Sequence, residues 1–171
     1  MIATDKQSAA KLFRMISSEL VSYKHTMPWC EARIQENTEP LAWLCELAVT
    51  KYGGDLKRIV TDFLNSEPFE RFNYDLLDRY ELGCLFLRHQ RREISWATFL
   101  REAGSLSDAA ESDPDCEWFY ERLNRYEDSG FNKSLETTQR AEVLTELSEI
   151  IEDVAKDYEP FRLLYQAGDD G

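Results

Sequence analysis

Glycine and proline are scarce, at seven and five in 171 residues. An all-β chain built on tight turns needs more of both. Only two histidines occur, His25 and His89, and neither has a glutamate three residues before it, so the Glu-x-x-His pairs of a carboxylate-bridged metal bundle are absent. The four cysteines, Cys30, Cys45, Cys84 and Cys116, form no CxxC pair and offer neither local zinc spacing nor a disulfide framework. Apolar runs are short, as in Leu85-Phe86-Leu87, whereas a membrane-spanning helix needs roughly 20 such residues. The opening MIATDKQSAAKLF lacks the apolar stretch of an export signal. A cytoplasmic chain with reduced, mostly buried thiols and no membrane contact is expected.

Chemical signatures are also missing. There is no GxSxG, GxGxxG or P-loop. SDPDCE alternates acids but lacks the glycine and terminal glutamate of a calcium loop. No cofactor, metal site or catalytic residue is therefore expected. His25 and Cys30, flanking Met27-Pro28-Trp29, are the one local Cys/His pair close enough to meet. RHQRR at 88–92 is the sole basic cluster; capping of a helix end explains it without nucleic acid.

What the chain has in excess is negative charge, −13 overall. Residues 1–105 are balanced, with 14 Lys and Arg against 15 Asp and Glu, whereas residues 106–171 hold 6 against 18. Such asymmetry disfavours direct binding of nucleic acid and favours a basic partner.

Apolar residues recur at three- and four-residue spacing throughout, the signature of helices. Leu12, Phe13, Ile16, Leu20 and Tyr23 form one stripe, which Pro28 is expected to break. Thr38 and Pro40 open a helix that Gly53-Gly54 is expected to stop, and Asp55 caps the next. Pro68 opens a longer helix through Phe72, Leu76, Tyr80 and Cys84. Gly83 within it marks close approach of a neighbouring helix. Ser95 caps a helix ending at Gly104. Residues 105–115 read as a short polar connection, and the last helix spans about 136–158. The expected fold is all-α, a single irregular bundle of about six to eight helices over residues 1–171.

TELSEIIEDVAKDYEP, residues 145–160, carries six carboxylates and one lysine. On one continuous helix, Val143, Leu147, Ile150, Ile151 and Val154 form an apolar face. Glu142, Glu146, Glu149 and Asp153 then fall within roughly 60° of one another on a different face. A second acidic group, Glu111, Asp113, Asp115 and Glu117, adjoins Trp118-Phe119-Tyr120. Trp118 and Tyr120 are candidate anchors beside it, although Asp115 and Glu117 also suit a helix N-terminus.

Together these features point to a non-enzymatic acidic domain that masks a basic surface on a partner protein. An immunity protein or antitoxin that acts as an inhibitor fits, as does a nucleic-acid mimic. An enzyme whose carboxylates converge from distant helices, and a structural or adaptor subunit, are the alternatives.

Overall fold

The computed structural model describes residues 4–39, 41–110 and 113–169. Among them it contains nine α-helices and no strand. They are α1 (Lys6–Ser17), α2 (Tyr23–Glu36), α3 (Ala42–Val49), α4 (Gly53–Leu64), α5 (Tyr74–Gln90), α6 (Trp96–Ala110), α7 (Cys116–Asp128), α8 (Lys133–Glu146) and α9 (Ser148–Asp169). The all-α class is as expected. The count exceeds six to eight because the expected last helix divides at Leu147, which is buried between α8 and α9. No described helix is long and apolar enough to cross a membrane.

Packing falls into two compact units. The first joins residues up to Phe72 with those from Lys156 onward. Asp5 caps α1, accepting from the Ser8 backbone N–H at 2.8 Å, and Ala9, Leu12, Met15 and Ile16 turn one apolar face inward. Helix α1 packs on α4, and α2 on α3. Trp29 sits against Phe161 at 5.1 Å between ring centroids and against Trp43 at 6.5 Å. Trp43 in turn stacks on Phe63.

Lys6 is buried in this unit, 4% exposed. Its ammonium donates to the carbonyls of Leu64 at 3.3 Å, Pro68 at 2.7 Å and Ser66. Three acceptors match the three N–H donors of an ammonium. One cation thus satisfies the carbonyls of the segment that follows α4, where regular helix bonding has ended.

The second unit, Asn73–Ala155, holds α5 to α8 and the start of α9. Phe99 is central: Trp96 stacks on it at 4.9 Å, and Phe86 and Phe119 meet it edge-on. Leu100, Val143, Leu147 and Ile151 complete this core. Gly83 does mark a close approach. A Cβ there would lie 2.8 Å from Ile150 Cγ2 and 2.9 Å from Val154 Cγ2.

Several helix limits differ from the sequence reading. Pro28 lies inside α2, and α9 continues through Pro160. Each proline removes one backbone donor, but the neighbours Trp29, Cys30, Tyr158 and Phe161 are buried, and their burial outweighs that loss. Gly53-Gly54 opens α4 rather than closing α3. The exposed Tyr52 ring lies 2.7 Å from where a Cβ on Gly54 would be, so a side chain there would displace that ring. Pro40 lies outside the described residues. Helix α5 begins at Tyr74, where Asn73 caps it, not at Pro68; Phe69 is 74% exposed and belongs to no core face. Helix α6 runs past Gly104 to Ala110, so residues 105–110 are helical. Buried Ser107 and the Tyr120 ring over Gly104 hold this extra turn and a half in place.

Two predictions follow from these packing arrangements. Replacing Lys6 with methionine removes the donor shared by three part-buried carbonyls and should cost about 1–3 kcal/mol in urea unfolding; a change below about 0.5 kcal/mol would show that the clasp is dispensable. Gly83→Ala gains roughly 1 kcal/mol of helix propensity but overpacks the contact with Ile150 and Val154, at a cost of about 1–3 kcal/mol. It should lower the melting temperature, and a raised one would refute the close packing.

Candidate functional site: an acidic groove at the α8–α9 junction

Leu147 ends α8 with its own N–H bonded to the Val143 carbonyl at 2.9 Å, and Ser148 begins α9. The break redirects the carboxylate row that a continuous helix would have carried. Glu146, Glu149 and Asp153 line one open cavity of about 320 Å³. Leu76 and Arg79 from α5 supply the opposite wall, with Thr145, Leu147, Ser148 and Ile150 between. The volume sits at the low end of ligand pockets, roughly 300–1,000 Å³, and suits one or two side chains.

The three groove carboxylates are exposed, and none forms an ion pair or hydrogen bond with any described residue. Arg79 offsets one of their charges, so the lining carries a net formal charge of about −2 by its residue types. The Arg79 Nε is buried without a hydrogen-bond partner. Leu76 is half exposed at the lip. The groove therefore combines unneutralised charge with an apolar edge.

Glu142 does not join it. Its Oε2 accepts from Arg122 Nε at 3.0 Å and lies 2.9 Å from Nη2. The Arg122 guanidinium also stacks on the Trp118 ring, 3.5 Å from its centroid, and donates from Nη1 to the Trp118 carbonyl. Glu142 and Trp118 are thus linked through one cation that covers the indole face. Tyr120 is partly buried, with its ring over Gly104. Asp115 caps α7, accepting from the Trp118 N–H at 2.9 Å, and Glu117 lies in the first turn. Asp113 is exposed in the preceding turn. Glu111 lies outside the described residues. The second acidic group therefore serves in part to start a helix.

Arg79 and Leu76 escaped sequence reading. Nothing in NYDLLDRY signals that the first turns of α5 face the α8–α9 junction; only the exposed leucine beside unpaired acids would have hinted at it.

The basic cluster is engaged locally. Arg88 and Arg91 pair with Glu93 at 3.4 and 2.9 Å, and His89 is buried. The His25–Cys30 pair fares no better as a catalytic dyad. The Ser22 backbone N–H donates to His25 Nδ1 at 3.2 Å, which leaves Nε2 to donate to the Tyr158 hydroxyl at 3.2 Å. Tyr165 stacks on the same ring. Burial pushes the Cys30 thiol up to about 12, far from the range of a nucleophile at neutral pH. Among the described residues no group of three or more His, Cys, Asp or Glu side chains is arranged to hold a metal ion.

No protein-family model matches the chain, and no curated protein or solved structure matches it.

All four thiols are free, and they differ sharply in access: Cys45 is exposed, Cys116 partly covered, Cys30 and Cys84 buried. Iodoacetamide applied to the native protein should label Cys45 first, Cys116 more slowly, and Cys30 and Cys84 only on unfolding, as read by peptide mass spectrometry. Labelling of Cys30 as fast as Cys45 would mean an activated thiol and would revive the His25–Cys30 pair.

Proposed function

We propose that the chain is a non-enzymatic, acidic protein-binding domain whose groove receives a lysine or arginine side chain from a basic partner. One observation carries this reading. Glu146, Glu149 and Asp153 converge on a single open groove and make no ion pair among the described residues. Some carboxylates elsewhere find cations, as Glu142 does with Arg122, Asp157 with Lys11, and Glu46 and Asp62 with Arg58, and the groove sets three that do not on one lining. A cation entering the groove would relieve the mutual repulsion of three like charges. Leu76 at the lip would cover the aliphatic stem of the same side chain.

The partner would be masked in the manner of an inhibitor. Pairing of Glu142 and the turn at Leu147 shorten the carboxylate row, which favours a receptor for side chains, such as an immunity protein or antitoxin, over a mimic of a phosphate backbone. Electrostatic attraction of this kind acts mainly on the association rate and is screened by salt.

The test uses a lysine-rich helical peptide as probe, with association rates followed at two ionic strengths. The variant Glu146→Gln/Glu149→Gln/Asp153→Asn should remain folded, associate more slowly and lose much of its salt dependence. The control Glu121→Gln/Asp128→Asn/Glu152→Gln removes the same charge from exposed acids outside the groove and should bind much like the wild type. Rates equally affected in both variants would reduce the effect to net charge and refute the groove as the docking site. Unchanged rates in the groove variant would do the same.

A further inference from the structure

Within the second unit, His89 presents an acceptor to another acceptor. Its Nδ1 lies 3.1 Å from the Ile94 carbonyl, so Nδ1 carries the proton of the neutral ring and Nε2 is a bare lone pair. That Nε2 is buried with no hydrogen-bond partner. It faces Glu136 Oε1 at 4.0 Å, with the His89 side chain 8% exposed and that of Glu136 24% exposed. The other carboxylate oxygen, Oε2, accepts from the Tyr126 hydroxyl at 2.8 Å. A nitrogen lone pair and a carboxylate oxygen repel each other unless a proton lies between them.

We propose that His89 and Glu136 form a proton-operated latch, in which a proton from solvent adds to His89 Nε2 and draws Glu136 in from 4.0 Å to hydrogen-bond distance, tying the first turns of α8 to the end of α5. The imidazolium donates to the carboxylate, so charge balances within the pair. Tyr126 competes for the same carboxylate and restrains its movement.

On α5 the His89 ring stands in the last turn, where the helix dipole favours positive charge, beside Arg88, which pairs with Glu93. From α6 it meets the uncharged rings of Trp96 and Phe99. From α7 comes Tyr126, through Glu136. From α8 come Glu136 and Arg140, the second of which opposes protonation. Burial, the largest influence, pushes the imidazole below its ordinary value and Arg140 adds to this, while the Ile94 carbonyl and Glu136 resist it. The folded protein therefore takes up this proton at lower pH than the unfolded chain, which titrates near roughly 6.5. Stability from the neutral ring is full above that value and is lost as pH falls through the window below it. The latch consequently works in mild acid, in protein that is still folded but less stable.

The experiment is a titration of the His89 ring nitrogens by NMR in the intact protein, with the Tyr126 and Glu136 side-chain signals followed alongside. All three should move together with one midpoint below 6.5 while the folded spectrum persists. Glu136→Gln removes the carboxylate that favours the proton and should lower the His89 midpoint. Tyr126→Phe removes the competitor and should raise it. A midpoint left at the wild-type value in either variant, or a His89 titration that occurs only as the folded spectrum disappears, overturns the latch.

Discussion

Twenty basic residues have to serve thirty-three acidic ones, and this shortage of cations shapes each unit. Lys6 pairs with no carboxylate among the described residues; its ammonium is committed to the carbonyls of Leu64, Ser66 and Pro68. Arg58 compensates on the surface by reaching Glu46, Asp55 and Asp62 at once, at 3.3, 3.8 and 3.1 Å. Exposed pairs of this kind add little stability each, but sharing one guanidinium among three acids limits repulsion along α4. In the second unit Arg122 is largely buried, 14% exposed, between Trp118 and Glu142. Held by a ring face, a carboxylate and a backbone carbonyl, it cannot also serve the groove beyond Leu147. Only Arg79 is left there, facing three acids.

How that shortage appears in the sequence depends on scale. Over tens of residues it is plain, because residues 106–171 hold three acids for each base. At the level of a groove it is partly legible. The helical projection grouped Glu146, Glu149 and Asp153 correctly, since they are spaced three and four apart and the turn at Leu147 leaves them on a common lining. It also grouped Glu142, whose partner Arg122 lies twenty residues away on another helix. No local spacing encodes that pairing. The Arg79 and Leu76 wall was invisible for the same reason: helix-on-helix placement is decided by core packing, not by the residues that end up lining the surface.

The fold shows a parallel division. Helix content was readable everywhere, because a 3.6-residue period survives any change in the packing partner. Helix ends were readable where a capping side chain decides them, as Asp115 does for α7. They were misread at Pro28, Gly53-Gly54, Pro68 and Gly104, where proline or glycine was taken as punctuation. Pro28 and Pro160 sit beside Trp29 and Phe161, and the burial of those rings keeps the helix running past a missing donor. Gly54 and Gly104 are small because Tyr52 and Tyr120 lie over them, not because the chain turns there. In each case a long-range contact determines what the local residue does, and one chain without its partners in space does not display it.

The groove and the His89–Glu136 pair share one physical condition, an excess of acceptors over donors. In the groove, three carboxylates face one arginine in water, where repulsion is weakened by solvent and a mobile cation can always approach. At the edge of the core, a buried lone pair faces a partly exposed carboxylate across 4.0 Å, and a proton on the ring would satisfy both. The two sites therefore differ in what can satisfy them. Anything that binds the groove in the folded state alone adds stability in proportion to its occupancy. A proton on His89 does the opposite, because the unfolded chain binds it more readily. Under the readings proposed for both, a basic partner and mild acid would act on this protein with opposite sign, each by supplying the positive charge that the sequence leaves short.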